Sequence, residues 1–158
     1  MVGSVIAIDL SKDHQVTSFD INQNNLNLLN QRFGINCKQA NLSMIDDYAE
    51  MLAGFDMVVS AVPGFMGYRA LEAIINAGKD VVDISFFPEN ALELHQLAFK
   101  KQVTAIVDCG VAPGMSNLFA GYVNSILDET ETILIYVGGL PVTRDYPFEY
   151  KPPFSPIE

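Results

Sequence analysis

The sequence predicts an α/β fold with a doubly wound parallel sheet, and three observations carry that expectation. Short apolar runs alternate with helical patterns from Val2 to Gly110, with short connections between them. The run Met57-Val58-Val59-Ser60-Ala61-Val62 is apolar almost throughout, as a strand covered on both faces requires. Several runs end in a carboxylate or a glycine turn (Asp20, Pro63-Gly64, Asp83, Asp108-Cys109-Gly110), at the carboxyl ends where sheets of this kind bind ligands.

In chain order, Val2 to Leu10 reads as an apolar helix entered through Gly3 and Ser4. Val16 to Asp20 is a short strand ending on a carboxylate. Leu26, Leu28 and Leu29 mark a helix that stops before Gly34, and a brief strand near Cys37 to Gln39 leads to the polar turn Asn41-Leu42-Ser43. Ile45 to Leu52 is the next helix, and Met57 to Val62 is the buried strand, broken by Pro63 and Gly64. Leu71, Ile74 and Ile75 share one face of a helix ending at Gly78. Val81 to Ile84 is a strand, Ala91 to Lys100 a helix, and Thr104 to Val107 a further strand. The order is α-β-α-β-α-β-α-β-α-β. A doubly wound sheet begins with a strand that becomes central in the order 3-2-1-4-5-6, and here the Rossmann-type pattern starts without it.

Bulk composition narrows the function. The chain has 158 residues, 49% of them hydrophobic, enough for one domain with a core and the start of another. The net charge of -10 with only nine Lys and Arg, scattered singly, argues against nucleic acid as a partner. Cys37 and Cys109 are far apart with no CxxC spacing, as suits thiols in a reducing, cytoplasmic setting. His14 and His95 have no companion at ligand spacing, so no metal site is expected. The apolar start lacks a basic flank and meets Asp9 early, unlike a signal peptide, and no run has the length of a membrane span.

Met1-Val2-Gly3 matches the end of the G-x-G-x-x-G turn that receives pyrophosphate, with Gly3 in the place of the third glycine. Asp20 stands 17 residues later at the end of the next strand, where a carboxylate accepts hydrogen bonds from the adenosine ribose. With Ile21 it is the candidate ribose site. The alternative is a strand-end residue that turns the chain with Asn22. If the cofactor reading holds, a carboxylate repels a 2′-phosphate and no Arg or Lys follows before Arg32, so NAD is expected in preference to NADP.

Ser60, Ala61, Val62 and Pro63, with Gly64, offer small residues against which a nicotinamide ribose could lie; an ordinary strand-to-helix turn is the alternative. Gly110 closes the last strand beside them. Asp83 and Asp108 could hold a substrate ammonium or serve as a base, or could simply cap the following segment. Cys109 has no adjacent histidine to activate it and reads as a small buried side chain. Phe65, Phe86 and Phe87 line a pocket or pack in the core.

Two longer segments are more specific. One is Asp108-Cys109-Gly110-Val111-Ala112-Pro113-Gly114-Met115-Ser116-Asn117, a turn opening a helix. The other is Tyr136-Val137-Gly138-Gly139-Leu140-Pro141 at the end of an apolar strand, followed by Pro147-Phe148-Glu149-Tyr150. Together they resemble the saccharopine dehydrogenase-like superfamily, over essentially the whole chain. The resemblance implies a dinucleotide-binding domain over residues 1–110, lacking its first strand, and the beginning of an α+β catalytic and dimerisation domain over 111–158. It also implies a chain truncated at both ends. Saccharopine reductases look like DPG where this chain has Ala112-Pro113-Gly114, carry a cysteine at the position of Val137, and a tyrosine near Phe86. The GVAPGM and YVGG forms look closer to the lysine 6-dehydrogenase branch. Phe86, Gly114, Gly138 and Gly139 are the substrate positions the resemblance implies.

The function expected is therefore a nicotinamide-dependent oxidoreductase of amino-acid metabolism, acting on the C–N bond of an amino acid or related amine and dimeric at full length. The amine must be neutral when hydride leaves, which requires a base, and Asp83 and Asp108 are the candidates in view. One alternative is a non-catalytic nucleotide-binding subunit, to which the apolar Ala112, Val137 and Phe86 lend weight. Another is an S-adenosylmethionine-dependent methyltransferase, which has no reason to carry GVAPGMSN and GGLP.

Overall fold

A computed structural model describes residues 2–44, 48–138, 142, 143 and 146. Helices and strands alternate as expected. The elements are α1 (Val2–Leu10), β1 (Thr17–Asp20), α2 (Gln23–Phe33), β2 (Asn36–Gln39), α3 (Tyr48–Leu52), β3 (Met57–Ser60), α4 (Gly64–Asn76), β4 (Asp80–Asp83), a 3-10 turn (Ala91–Leu94), α5 (His95–Lys101), β5 (Ala105–Ile106) and α6 (Met115–Ile126).

Local chemistry sets the boundaries. Asn22 starts α2: its side-chain oxygen accepts from the N–H groups of Asn24 and Asn25 at 3.0 and 3.2 Å. Gly34 ends it with φ 69°, donating its N–H to Asn30 O. Replacing Asn22 by alanine leaves those two N–H groups to water, and a loss of about 1 kcal/mol is expected in urea unfolding. An unchanged midpoint would show that α2 is held by packing alone. The helix expected over 91–100 opens as a 3-10 turn because Asn90 accepts from the N–H of Leu92. The first three positions of the helix expected over 45–52 lie outside the described residues.

All strand pairs are parallel, but they form two sheets among the described residues: β1-β2, and β3-β4-β5. Asp20 pairs with Gln39 in the first sheet, and Ser60 with Asp83 in the second. The strand expected over 57–62 ends at Ser60, since the ladder stops there and Pro63, which has no N–H, leads into α4. The apolar strand expected before Gly138 does not form. Residues 131–138 are exposed, with no strand partner among the described residues.

Two apolar clusters hold the chain. The larger joins Tyr48 and Leu52 of α3, Ala70, Leu71, Ile74 and Ile75 of α4, Val81 of β4 and Leu94. Each large side chain so buried contributes about 1.5–3 kcal/mol of transfer free energy. The smaller joins Ala7 of α1, Leu29 of α2 and Ile35, with Ile8, Val16 and Cys37 packed against it. Lys79 ties the approach to β3, donating to Phe55 O at 2.7 Å and Ala53 O at 3.3 Å, and Lys101 donates to Asn76 O near the end of α4. No side chain of α6 is buried. No helix among the described residues is long and apolar enough to cross a membrane.

Candidate functional site at the carboxyl ends of the strands

The carboxyl ends of β3, β4 and β5 gather the polar residues singled out in the sequence. Ser60, Asp83 and Ser85 are all buried, Asp83 completely. Ile84 donates its N–H to Ser60 O at 3.0 Å, and Cys109 donates its N–H to Asp83 O at 3.1 Å, so the three strand ends are stitched together by main-chain bonds.

The Asp83 carboxylate is taken up locally. One oxygen accepts from the Ser85 N–H at 2.7 Å, the other from the Ser85 hydroxyl at 3.1 Å. Burial raises its pKa above the usual carboxylate value. The neighbouring Ser60 and Ser85 groups oppose that shift, and the Asp108 charge adds to it. The Ser60 hydroxyl lies close enough to favour the charged form without completing a hydrogen bond of normal geometry. Asp83 therefore neither meets solvent as a base would nor caps a helix; it shapes the turn that carries Ser85 and Phe86. Ser85 was missed in the sequence, although the Asp-x-Ser spacing that ends β4 is its signal.

Asp108 is placed differently. It is exposed, in the left-handed region at φ 57°, directly before Cys109 and Gly110. The Cys109 thiol is pushed up by burial, then by the Asp83 and Asp108 charges, which keeps it protonated and unreactive. Gly110 and Gly114 meet across the intervening turn, whose Ala112–Pro113 peptide is cis. The N–H of Met115 returns to Gly110 O at 2.9 Å, and that of Ser116 to Val111 O at 3.0 Å. Gly114 has φ 132°, and a Cβ there would stand 2.2 Å from Gly110 O. The Asn117 side chain accepts from the Gly114 N–H.

Around this centre, Ala61 and Pro63 are exposed and Val62 half-buried. Phe65 and Phe86 are exposed, whereas Phe87 packs edge-on against Tyr68 at 5.9 Å. Gly67, also missed in the sequence, lets α4 approach this turn: a Cβ there would be 2.6 Å from the Phe87 ring and 2.8 Å from Ser85 Cβ. Gly3 stands against Ala61, its ideal Cβ 3.6 Å from the alanine methyl. Gly138 is exposed and has nothing within 4 Å of an added Cβ, so it is not brought to the site, and Gly139 lies outside the described residues.

At the end of β1, Asp20 accepts from the Asn22 N–H at 2.8 Å, the turn-forming alternative. Exposed Ile21 accepts from the Gln39 side chain at 2.9 Å. Lys38, on the neighbouring strand, sets its ammonium 6.0 Å from the Phe19 ring centroid, one residue from Asp20.

Residues 1–106 match the family described as saccharopine dehydrogenase NADP binding domain. Among curated proteins, the chain is 30% identical over 106 residues to the NADP(+)-dependent, L-glutamate-forming saccharopine dehydrogenase of Pyricularia oryzae, covering 63% of this chain and 24% of that protein. It is 30% identical over 122 residues to the Saccharomyces cerevisiae enzyme of the same name, covering 72% and 27%. The chain thus spans about a quarter of the length of these relatives. Among solved structures, apo histidine-tagged saccharopine dehydrogenase (L-Glu forming) from Saccharomyces cerevisiae superposes with a TM-score of 0.68 at 23% identity, over 77% of this chain and 28% of that one, a likeness of fold.

These matches overturn the expectation of NAD: the domain family is NADP-binding, and the relatives are NADP(+)-dependent by name. The expectation counted cations only along the chain after Asp20. Lys38, paired with Phe19 on the next strand, lay outside that count, and the Asn22 N–H engages the Asp20 carboxylate.

Proposed function

The chain belongs to the saccharopine dehydrogenase family, and from that premise we propose that it is the dinucleotide-binding part of an NADP-dependent oxidoreductase acting on the C–N bond of an amino acid or related amine. The observation that carries the reading is the coincidence of the matched residues 1–106 with a parallel sheet whose carboxyl ends gather Ser60, Asp83, Asp108 and Gly110. Residues 1–110 make the nucleotide domain and 111–158 begin the substrate domain, which fits the absence of buried side chains on α6.

The residues present suit a dinucleotide. Gly3 allows close approach beside Ala61, Asp20 and Ile21 flank the ribose position with Lys38 alongside, and Ser60 to Pro63 present small side chains at the adjoining strand end. When bound, NADP supplies the hydride acceptor. Asp108, exposed just after β5, is the group placed to take the proton from a substrate amine, and Asp83 holds the turn that carries Ser85 and leads to Phe86. Phe86 and Gly114 remain the substrate positions near the strand ends. A homodimer fits the exposed apolar residues Leu118, Phe119, Tyr122 and Ile126 of α6, and a cytoplasmic setting fits two free thiols.

The test is amine-dependent reduction of NADP+ by the protein, across a panel of amino acids and secondary amines. Turnover is expected, and Asp108→Asn is expected to lower kcat by about 10²-fold or more without changing NADPH affinity. NADPH binding with no turnover on any amine would favour the non-catalytic subunit. Binding of S-adenosylmethionine in place of NADPH would remove the oxidoreductase reading.

A further inference from the structure

We propose that Gly67 and Tyr68 of α4 are positioning residues for the amine site: they clamp the turn after β4 and so fix the place of Phe86, an apolar wall for the substrate's carbon chain. The proposal rests on the oxidoreductase reading above and deepens it. Glycine inside a helix is less stable than alanine, so Gly67, in the first turn of α4, calls for a packing reason. The turn after β4 supplies one. A Cβ on Gly67 would stand 2.6 Å from the Phe87 ring and 2.8 Å from Ser85 Cβ. The next residue, Tyr68, meets the same Phe87 ring edge-on, with centroids 5.9 Å apart and planes at 78°. Two consecutive residues of α4 therefore hold Phe87.

The other side of the turn is held from within the sheet. The buried Asp83 carboxylate accepts from the Ser85 N–H and hydroxyl, and the Ile84 N–H returns to Ser60 O. Phe86 thus stands between two anchored neighbours, Ser85 and Phe87, yet is itself 51% exposed. A ring held in this way loses little further freedom on meeting a ligand, whereas a mobile turn would be ordered at the expense of affinity. The Cys109 N–H, bonded to Asp83 O, ties the root of the turn to the strand end that carries Asp108. The Phe87 ring can turn away from an added methyl at residue 67, but Ser85 is fixed by its two bonds to Asp83. Gly67→Ala therefore displaces the turn. An apolar contact with substrate is made in the ground state and the transition state alike, so its loss raises KM and leaves kcat in place.

The chain has no tryptophan, so Phe86→Trp places a single fluorescent reporter on the turn. Its anisotropy is measured without nucleotide or amine, alone and with Gly67→Ala, Tyr68→Ala or Tyr68→Phe added. The expected result is a fall of about a third or more with Gly67→Ala or Tyr68→Ala, and no change with Tyr68→Phe, which keeps the ring. With Phe86 intact, the amine KM is expected to rise about tenfold in Gly67→Ala and about threefold in Tyr68→Ala. Tyr68→Phe should keep the wild-type KM, and kcat and NADPH affinity should stay within about twofold throughout. Gly54→Ala, where nothing lies within 4 Å of the added methyl, should change none of these quantities. Tyr68→Ala inserts nothing, so it carries the test if Gly67→Ala does not fold. Equal anisotropy in all four reporter proteins would overturn the clamp. A loosened indole with an unchanged amine KM, or a joint loss of kcat and NADPH affinity, would overturn the positioning role and leave the oxidoreductase reading standing. Absence of amine turnover in the wild type would instead remove that reading, and the substrate role with it.

Discussion

Replacing Gly114 by alanine is expected to destroy the turn between β5 and α6, at a cost of about 3 kcal/mol or more. Two effects combine there. The backbone sits at φ 132°, which L side chains rarely adopt, and the added methyl would lie 2.2 Å from Gly110 O, 2.6 Å from Asp108 O and 2.6 Å from Gly110 N. All three are main-chain atoms, and Gly110 O is held by the Met115 N–H, so no side chain can swing away. Gly34 provides the comparison. It also has a positive φ, 69°, but nothing within 4 Å, so its alanine variant should lose only about 1 kcal/mol. Amide exchange at Met115 and Ser116, whose N–H groups close the turn, reads the effect directly. Wild-type protection there in Gly114→Ala would sink the expectation.

Asp83 carries the second large effect, and its two variants should separate. Asp83→Ala leaves the buried Ser85 N–H and hydroxyl without their acceptor and opens a void, for a loss of about 2–4 kcal/mol. Asp83→Asn keeps an oxygen for the Ser85 N–H and removes the cost of burying charge, so it should be far milder. The pH dependence has a definite sign. Burial raises the carboxyl pKa in the folded state, so the folded protein holds the proton more tightly than the unfolded chain. Stability then falls as pH rises from the ordinary carboxylate value of about 4 through the raised folded value, and levels off above it. Urea midpoints across that range should show this slope in the wild type, and the slope should be absent in Asp83→Asn. A wild-type minus Asp83→Asn difference that is flat with pH, or equal losses in both variants, would refute the assignment.

Much of the architecture was legible in the residues. Apolar spacing at Leu71, Ile74 and Ile75 located α4, and Gly34 and the Gly110–Gly114 turn marked real boundaries. The errors have physical causes. Val62 extends the apolar run, but hydrogen-bond pairing, which hydropathy does not encode, ends at Ser60. Ile133 to Val137 has strand composition, yet a strand exists only with a partner edge, and none is present among the described residues. At the candidate site, the strand-end carboxylates were visible but their exposure was not. Asp83 and Asp108 look alike in the sequence and end up buried and exposed. The NADP preference was not legible, because it was argued only from the chain around Asp20, whereas the matched domain family is NADP-binding.

The two apolar clusters have a consequence for how the molecule opens. Among the described residues, eight buried side chains join α3, α4, β4 and Leu94, whereas the cluster at α1 and α2 has three, Ala7, Leu29 and Ile35, with Ile8, Val16 and Cys37 packed against it. With so unequal an endowment, the chain comprises a strong cooperative unit and a weak one, and thermal fluctuation frees the weak one first. That unit carries Asp20 and Ile21, so on the proposed reading the ribose would rest on the part that breathes, while the strand tips around Asp83 stay rigid.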